Sequence, residues 1–285
     1  MFEDKTYTGK EIYQILTDFL KPAWEEEAYA LSKYLLTEVL EHQWLELISS
    51  PSIEIGKETA ARIEKISERL INMEPIQYIL GYTYFLDRKF KVSTDVLIPR
   101  PETEELVFTI INKCKIHYPK ILDIGTGSGC IGISLALELG TQTFTGIDVD
   151  HSVIKVAESN AREYGVRMNS IRLDVLKNTP PLSGYEIVVS NPPYVKPSEK
   201  IFMRKNVLDH EPSQALFVPE NDPLIFYRKI ISQSLNILNP GGMLFFEINE
   251  LYGDEIKQLL VDLNYKDVKV DKDIHGKDRF VYGKK

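Results

Sequence analysis

The stretch ILDIGTGSGC, residues 121–130, decides the fold of this 285-residue chain. A buried apolar strand ends in a loop with three glycines, and the run CIGISLALEL that follows has the composition of a helix. Glycines such as Gly125, Gly127 and Gly129 let a backbone turn sharply and approach a ligand closely. Because ligands bind at the carboxyl ends of strands in open α/β sheets, this strand, loop and helix predict a binding site.

From Lys120 onward, strands and helices alternate along the chain. TFTGIDV (143–149), SIRLDV (170–175), YEIVVS (185–190) and GGMLFFEI (241–248) read as strands, and SVIKVAESNAREYG (152–165) as a helix. This alternation predicts an α/β fold whose parallel sheet is covered by helices on both faces. The tail segments 267–274 and 278–285 add two strands, so we expect a mostly parallel seven-stranded sheet with an antiparallel edge.

The first 75 residues predict a different kind of domain. Ile12, Leu16 and Leu20 recur at helical spacing, and Pro22 is expected to interrupt the first helix. YTYFLDRKFKV, residues 82–92, alternates as a β-hairpin does. We therefore predict a helical domain over residues 1–75, a hairpin connector over 76–92 and a catalytic domain with the predicted binding site over 93–285.

Composition and charge limit the classes of partner. Hydrophobic residues make up 43% and charged residues 27%, with only two cysteines and no CxxC motif, so we expect a cytoplasmic monomer without a metal site. No apolar run reaches the ~18 residues that span a bilayer, and the acidic start lacks a signal-peptide pattern. Residues 1–90 hold 10 Lys and Arg against 16 Asp and Glu, which favours a basic protein partner over nucleic acid.

The glycine loop leaves several ligands open. No Gly-Lys-Ser/Thr follows, which excludes a P-loop, but residues 127–132 formally match the dinucleotide pattern G-x-G-x-x-G. Asp123 would repel a pyrophosphate yet attract an ammonium or sulfonium group, and Asp148 could accept both hydroxyls of a ribose. These features indicate S-adenosylmethionine, with Asp174 reaching the adenine amino group, although Asp174 could equally cap a helix. The predicted cofactor-binding residues are Asp123, Gly125, Thr126, Gly127, Ser128, Gly129, Asp148, Asp174, Val175 and Asn191.

The segment SNPPYV, residues 190–195, follows the predicted fourth strand and has a chemistry of its own. Proline has a fixed φ and restricts the residue before it to extended conformations, so this segment is stiff. The side-chain oxygen of Asn191 and the carbonyl of Pro192 could together accept two hydrogen bonds from one NH2 group, and Tyr194 could cover it with its ring. We predict Asn191, Pro192 and Tyr194 as catalytic residues; the alternative is a turn that only ends the strand.

At this point the chain resembles a known family over nearly its whole length, the PrmC/HemK protein-glutamine methyltransferases. PIQYILG (75–81), LIPRPETE (97–104), the glycine loop, NPPY, EPSQAL (211–216) and DIHGKDR (273–279) occur in the family's order. One departure is FVPENDP (217–223), where the family has a glycine-rich turn.

The resemblance implies a class I S-adenosylmethionine-dependent methyltransferase fold and a protein-(glutamine-N5) methyltransferase activity. The methyl acceptor would be the glutamine of the Gly-Gly-Gln motif in class 1 peptide chain release factors, and the coproduct S-adenosylhomocysteine. By the same resemblance, the substrate-binding residues are Asn191, Pro192, Pro193, Tyr194, Pro99, Arg100, Pro101 and Glu102. The alternative for the last four is that they only brace the sheet.

Three other functions remain as alternatives. An adenine-N6 methyltransferase on DNA or RNA would also use NPPY, but the acidic N-terminal part argues against it. A nicotinamide-dependent dehydrogenase would leave SNPPYV and Asp123 without a role. A non-catalytic binding module would not need Asp123, Asp148 and Asn191 together.

Overall fold

The computed structural model describes residues 1–285, and its contacts divide the chain into two compact units. Unit 1 comprises Met1–Leu80 together with Arg204–His210, and unit 2 comprises Gly81–Met203 together with Glu211–Lys285. Residues 204–210 therefore group with the helical unit although they lie within the segment predicted as catalytic. No helix combines the length and the apolar character that crossing a membrane requires.

The helices and strands are numbered here in chain order. They are β1 (Lys5–Tyr7), α1 (Gly9–Trp24), α2 (Glu27–Leu40), α3 (Trp44–Ser49), β2 (Ile53–Ile55), α4 (Lys57–Ile71), α5 (Ile76–Leu80), β3 (Tyr82–Phe85), β4 (Arg88–Lys91), α6 (Pro101–Lys113), β5 (Ile121–Ile124), α7 (Cys130–Glu138), β6 (Thr143–Asp148), α8 (His151–Glu163), β7 (Arg167–Arg172), β8 (Tyr185–Ser190), a 3₁₀ helix (Pro197–Phe202), α9 (Lys205–His210), α10 (Ser213–Leu216), α11 (Ile225–Ile237), β9 (Leu238–Glu247), a second 3₁₀ helix (Glu250–Tyr252), α12 (Gly253–Asp262), β10 (Lys266–Lys272) and β11 (Asp278–Lys284).

The first helix of unit 1 begins at a capping box. The Thr8 hydroxyl accepts the Glu11 N–H at 3.2 Å, and the Glu11 carboxylate accepts the Thr8 N–H at 2.7 Å. Ile12, Leu16 and Leu20 are each 0% exposed, so the apolar stripe predicted from the sequence forms the core of this unit.

The predicted interruption of this helix at Pro22 is wrong, since α1 continues to Trp24. Pro22 lies in the last turn, where the missing N–H costs the helix a single hydrogen bond. Trp24 is buried, and its indole N–H donates to the carbonyl of Leu70 at 2.7 Å. Packing against α4 therefore outweighs the local preference of proline.

Two features of unit 1 join segments that are distant in sequence. Strands β1 and β2 pair antiparallel, which the sequence did not predict because each has only three residues. The segment 204–210 contributes an ion pair between Arg204, which directly precedes α9, and Glu27, and His210 Nε2 lies 3.1 Å from the carbonyl of Asn72.

The central sheet of unit 2 has the order β10-β11-β9-β8-β5-β6-β7. Strand β11 runs antiparallel to both neighbours and every other pair is parallel, which confirms the predicted seven-stranded sheet with its antiparallel edge. The chain runs outward from β5 through β6 to β7 and then returns to the other side of β5 as β8. This reversal creates a crevice at the carboxyl ends of β5 and β8, where ligands bind in such sheets.

The central strands β8 and β9 are buried on both faces of the sheet. Along β8, Ile187 and Val189 belong to one apolar cluster, whereas Val188 belongs to the cluster on the other face. Phe245 and Phe246 divide between the two clusters in the same way on β9. Strands buried on both faces need continuous apolar runs, which explains why β8 and β9 lack alternation with polar residues.

The predicted hairpin forms, with Tyr82 opposite Lys91 and Phe85 opposite Arg88. Its turn residues Leu86 and Asp87 both have positive φ, 49° and 59°. Such φ values are typical of the tight hairpin turns that match the twist of the strands.

Candidate active site

The glycine loop and the SNPPYV segment begin at neighbouring positions of the sheet. Ile124, the last residue of β5, lies opposite Ser190, the last residue of β8. The buried Ser190 hydroxyl donates to the carbonyl of Ile124 at 2.7 Å and ties the two strand ends together. Gly125 and Asn191 therefore leave the sheet side by side.

A cavity of about 520 Å³ lies at this point in unit 2. Eleven of the residues predicted as binding residues line it: Pro99, Arg100, Gly125, Thr126, Gly127, Ser128, Asp148, Asp174, Val175, Asn191 and Pro193. Six other predicted residues do not belong to its lining: Pro101, Glu102, Asp123, Gly129, Pro192 and Tyr194.

Glycine is favoured at the three positions of the loop for two different structural reasons. Gly125 and Gly127 have φ values of +72° and +55°, and a Cβ added to either would meet no atom within 4 Å. Their backbone conformation requires glycine, and the space beside them is open. At Gly129 an added Cβ would lie 3.3 Å from the Cβ of Ala157, so this glycine also permits close packing against α8.

Asp123 lies beneath the loop rather than in the cavity wall. One carboxylate oxygen, Oδ2, accepts the Thr126 hydroxyl at 2.8 Å and the Gly132 N–H at 3.1 Å. The other oxygen, Oδ1, is buried without a hydrogen-bond partner. Burial raises the pKa of Asp123 to about 7. The structure thus gives Asp123 a role in shaping the loop, and its predicted contact with a ligand stays a prediction.

Asp148 closes β6 at the cavity and organises the backbone around it. Its Oδ2 accepts the Gly127 N–H at 3.2 Å, and its Oδ1 accepts the N–H groups of Val149 at 2.8 Å and Asp150 at 3.3 Å. A carboxylate has about four lone-pair sites, so acceptor capacity remains for a ligand. Burial raises the pKa of Asp148, and the backbone donors counteract that rise.

Asp174 lies two residues beyond the end of β7, which stops at Arg172 and not at the predicted position. Its Oδ1 accepts the Leu176 N–H at 3.0 Å, and its Oδ2 lies 3.0 Å from the Lys177 ammonium. Lys177 holds the pKa of Asp174 below its ordinary value. The side chain therefore caps a turn and not a helix, since no helix lies between β7 and β8, and its contact with adenine stays a prediction.

The SNPPYV segment is fixed by backbone hydrogen bonds at its last residue, Val195. The Val195 N–H donates to the carbonyl of Leu216 at 2.9 Å, and the Val218 N–H donates to the carbonyl of Val195 at 2.9 Å. Within the motif, Asn191 faces the cavity and donates its Nδ2 to the Thr103 hydroxyl at 3.4 Å.

Tyr194 packs its ring against the apolar cluster of β9 and α11. Its hydroxyl donates to Glu247 Oε1 at 3.3 Å, and burial raises the pKa of Tyr194, so the phenol is neutral. Stacking of this ring on a substrate stays a prediction.

The segment LIPRPETE contacts three other parts of unit 2. Arg100 pairs with Glu211, the Thr103 hydroxyl donates to Glu247, and the carboxylate of Glu104 accepts the N–H of Leu86 in the hairpin. The segment therefore contacts the central sheet through Thr103, while Pro99 and Arg100 line the cavity.

The sequence did not identify Thr103, Glu211 and Glu247 as functional candidates. Each is buried, and each is linked to a residue more than 100 positions away or to the cavity wall. The apolar residues of the cavity wall were missed as well; they include Cys130, Ile131, Ile147, Leu173 and Phe226. Ile147 and Leu173 lie near the ends of β6 and β7, and that position was a usable signal. Burial raises the pKa of the Cys130 thiol to about 12, so this residue is a neutral part of the wall.

Comparison with known proteins now decides the family. The family model described as PrmC N-terminal domain matches residues 11–81, and the one described as Methyltransferase small domain matches residues 102–213. A release factor glutamine methyltransferase of Bacteroides thetaiotaomicron is 42% identical over 95% of this chain and 96% of its own length.

This chain belongs to the release factor glutamine methyltransferase family. The resemblance described from the sequence is thereby confirmed. A second member of the family, from Flavobacterium psychrophilum, is 42% identical over 83% of this chain and 85% of its own. A crystal structure of a methyltransferase from Pyrococcus furiosus aligns with a TM-score of 0.52 at 15% identity, over 80% of this chain and 98% of that one, which shows a shared fold.

Proposed function

We propose that this protein transfers a methyl group from S-adenosylmethionine to the side-chain amide nitrogen of the glutamine in the Gly-Gly-Gln motif of class 1 peptide chain release factors. The observation that carries the proposal is the 42% identity, over nearly the whole chain, to a protein named release factor glutamine methyltransferase. It is supported by a single cavity whose wall includes both the glycine loop and Asn191.

The residues present fit S-adenosylmethionine. The cavity volume suits a ligand of this size, and the space beside Gly125 and Gly127 is open. Asp148 would hold the ribose, and the walls at Val175 and Leu173 would cover the adenine. When bound, the cofactor supplies an electrophilic methyl group on a positive sulfur.

On the acceptor side, Asn191 and Pro192 would hold the substrate NH2 group through two accepted hydrogen bonds. The lone pair of an amide nitrogen is delocalised, so it is a poor nucleophile unless its orientation is fixed. Fixing a near-attack geometry can lower a barrier by up to about 7–11 kcal/mol. The N–CH3 bond would form as the S–CH3 bond breaks, and the nitrogen would release its extra proton to water.

Unit 1 would dock the release factor. Residues 1–90, which include most of unit 1, hold 10 basic against 16 acidic residues, a net charge of -6 out of -8 for the whole chain. Such a surface fits a basic protein partner, since opposite charge accelerates encounter.

The test uses labelled S-adenosylmethionine with three acceptors: a class 1 release factor, its variant with Gln of Gly-Gly-Gln changed to Asn, and an adenine-containing oligonucleotide. We expect label on the unaltered release factor alone. Label on the oligonucleotide alone would instead identify an adenine-N6 methyltransferase and overturn the proposal.

A further inference from the structure

A buried acid stands behind the proposed acceptor site without lining the cavity. Glu247 is the last residue of β9 and is 1% exposed. Its Oε2 accepts the Thr103 hydroxyl at 2.7 Å, and its Oε1 accepts the Tyr194 hydroxyl at 3.3 Å. Both of its oxygens are thus engaged by residues that touch or belong to the LIPRPETE and SNPPYV segments.

Two hydrogen bonds link Asn191 to Glu247 through Thr103, and both are donated toward Glu247 when its carboxyl is ionised. Burial raises the pKa of Glu247, and the hydroxyls of Thr103 and Tyr194 counteract that rise by donating to the ionised form. A threonine hydroxyl has one proton and two lone pairs, and at Thr103 the proton is given to Glu247. The Thr103 oxygen can then only accept, and it accepts Asn191 Nδ2 at 3.4 Å. Because a carboxamide carries its oxygen on the side opposite its NH2 group, Oδ1 of Asn191 is the atom left for a substrate in the cavity.

The direction matters because an asparagine amide can rotate by half a turn at little cost. In the rotated orientation Nδ2 would face the cavity, and a donor would then oppose the donors of a substrate NH2 group. Thr103 is 3% exposed, so water does not compete for its hydroxyl.

We propose that Glu247 and Thr103 are positioning residues that fix the amide orientation of Asn191 so that its oxygen, and not its nitrogen, faces the acceptor. This inference rests on the proposed function, because it explains how the site accepts an NH2 group. Through its second oxygen Glu247 also holds the Tyr194 hydroxyl, so one acid fixes two positions of the SNPPYV segment.

The kinetic test compares Thr103→Val, which removes the hydroxyl at nearly constant shape, with Thr103→Ser, which keeps it. Thr109→Val on the same helix, outside the cavity wall, is the matched control. We expect Thr103→Val to lower kcat on the release factor by about 10- to 100-fold, the range that a misplaced group can cost. Thr103→Ser should restore most of kcat, and the Kd for S-adenosylmethionine, measured by calorimetry, should stay unchanged in all three variants.

Three kinetic outcomes would overturn the proposed positioning of Asn191 by Thr103 and Glu247. They are a wild-type kcat in Thr103→Val, an equal loss of kcat in Thr103→Ser, or a weaker affinity for S-adenosylmethionine in Thr103→Val. A wild-type protein that does not methylate the release factor would count against the proposed function instead.

A second measurement needs no substrate. The side-chain amide of Asn191, assigned in ¹⁵N NMR spectra by its absence in Asn191→Ala, should shift in Thr103→Val and not in Thr109→Val. An Asn191 signal that is identical in wild type and Thr103→Val would overturn the proposed positioning of Asn191, whatever the methyl acceptor is.

Discussion

Arg100 Nη2 lies 2.6 Å from Glu211 Oε1, and the side chain of Glu211 is only 1% exposed. The N–H of Ile98 approaches the other carboxylate oxygen of Glu211 at 3.4 Å. A buried carboxylate thus joins two segments that are 111 residues apart and that both contribute to the cavity wall.

Replacing Arg100 by Met should destabilise unit 2. Glu211 would remain buried without its cation, which costs about 3–5 kcal/mol for a fully buried pair, and we expect the lower end because Arg100 is 33% exposed. Urea titration measures the loss. The control is Arg88→Met, whose partner Glu138 is 41% exposed, and which should cost at most about 1 kcal/mol. Equal losses in the two variants would contradict the prediction.

Asp123 should make stability depend on pH. Its folded-state pKa of about 7 lies above the ordinary 3.8, so the folded protein holds this proton more tightly than the unfolded chain. Below pH 3.8 both states are protonated and Asp123 carries no penalty; stability is then lost as pH rises through about 7. The loss should amount to at most about 4 kcal/mol.

Asp123→Asn is the comparison for this pH effect, because its oxygen can still accept from Thr126 and Gly132. Urea titrations between pH 5 and 7, within the window set by the two pKa values, should show a weaker decline for the variant than for wild type. Parallel declines in both proteins would show that Asp123 is not the titrating group.

Asn191→Ala should abolish methyl transfer and largely spare cofactor binding. Its side chain lies on the β8 side of the cavity, whereas Asp148 and the glycine loop belong to β5 and β6. We expect kcat to fall by at least about 100-fold, as for a mispositioned acceptor. Calorimetry with S-adenosylmethionine provides the second readout, and a strong loss of cofactor affinity would make Asn191 mainly a cofactor ligand.

Charge reversal on unit 1 should weaken docking of the release factor. Glu41, Glu54 and Glu68 are exposed, and changing all three to Lys should raise KM for the release factor while kcat stays unchanged. The effect should shrink at high salt, because exposed charges are screened. The matched control reverses three exposed acids of α12 in unit 2, Asp254, Glu255 and Asp262. An unchanged KM in the unit 1 variant would rule out this docking surface.

Much of the fold was predictable because its signals are local. The apolar run of β5, the glycines after it and the alternation of strands and helices are all contained within short windows of sequence. The end of β7 was misplaced because Asp174 begins a capped turn that carries no marker in SIRLDV itself. Pro22 was misread because the buried ring of Trp24 keeps α1 helical beyond it.

Residues at strand ends that line the cavity could be predicted from the sequence, whereas the buried pair that supports Asn191 could not. Gly125, Asp148 and Asn191 follow strand ends, which meet at one edge of a sheet, so their proximity could be inferred. Thr103 and Glu247 are 144 residues apart, and no periodicity relates a threonine in the first turn of α6 to an acid at the end of β9. Such a pair emerges only when the chain is folded.

The membership of residues 204–210 in unit 1 has a consequence for biosynthesis. The segment 204–210 supplies the partner of Glu27 and the contact to Asn72, yet a ribosome makes it only after residues 81–203. The first 80 residues therefore leave the exit tunnel without their last segment. This unit can acquire its complete set of contacts only after most of the central sheet of unit 2 has been translated.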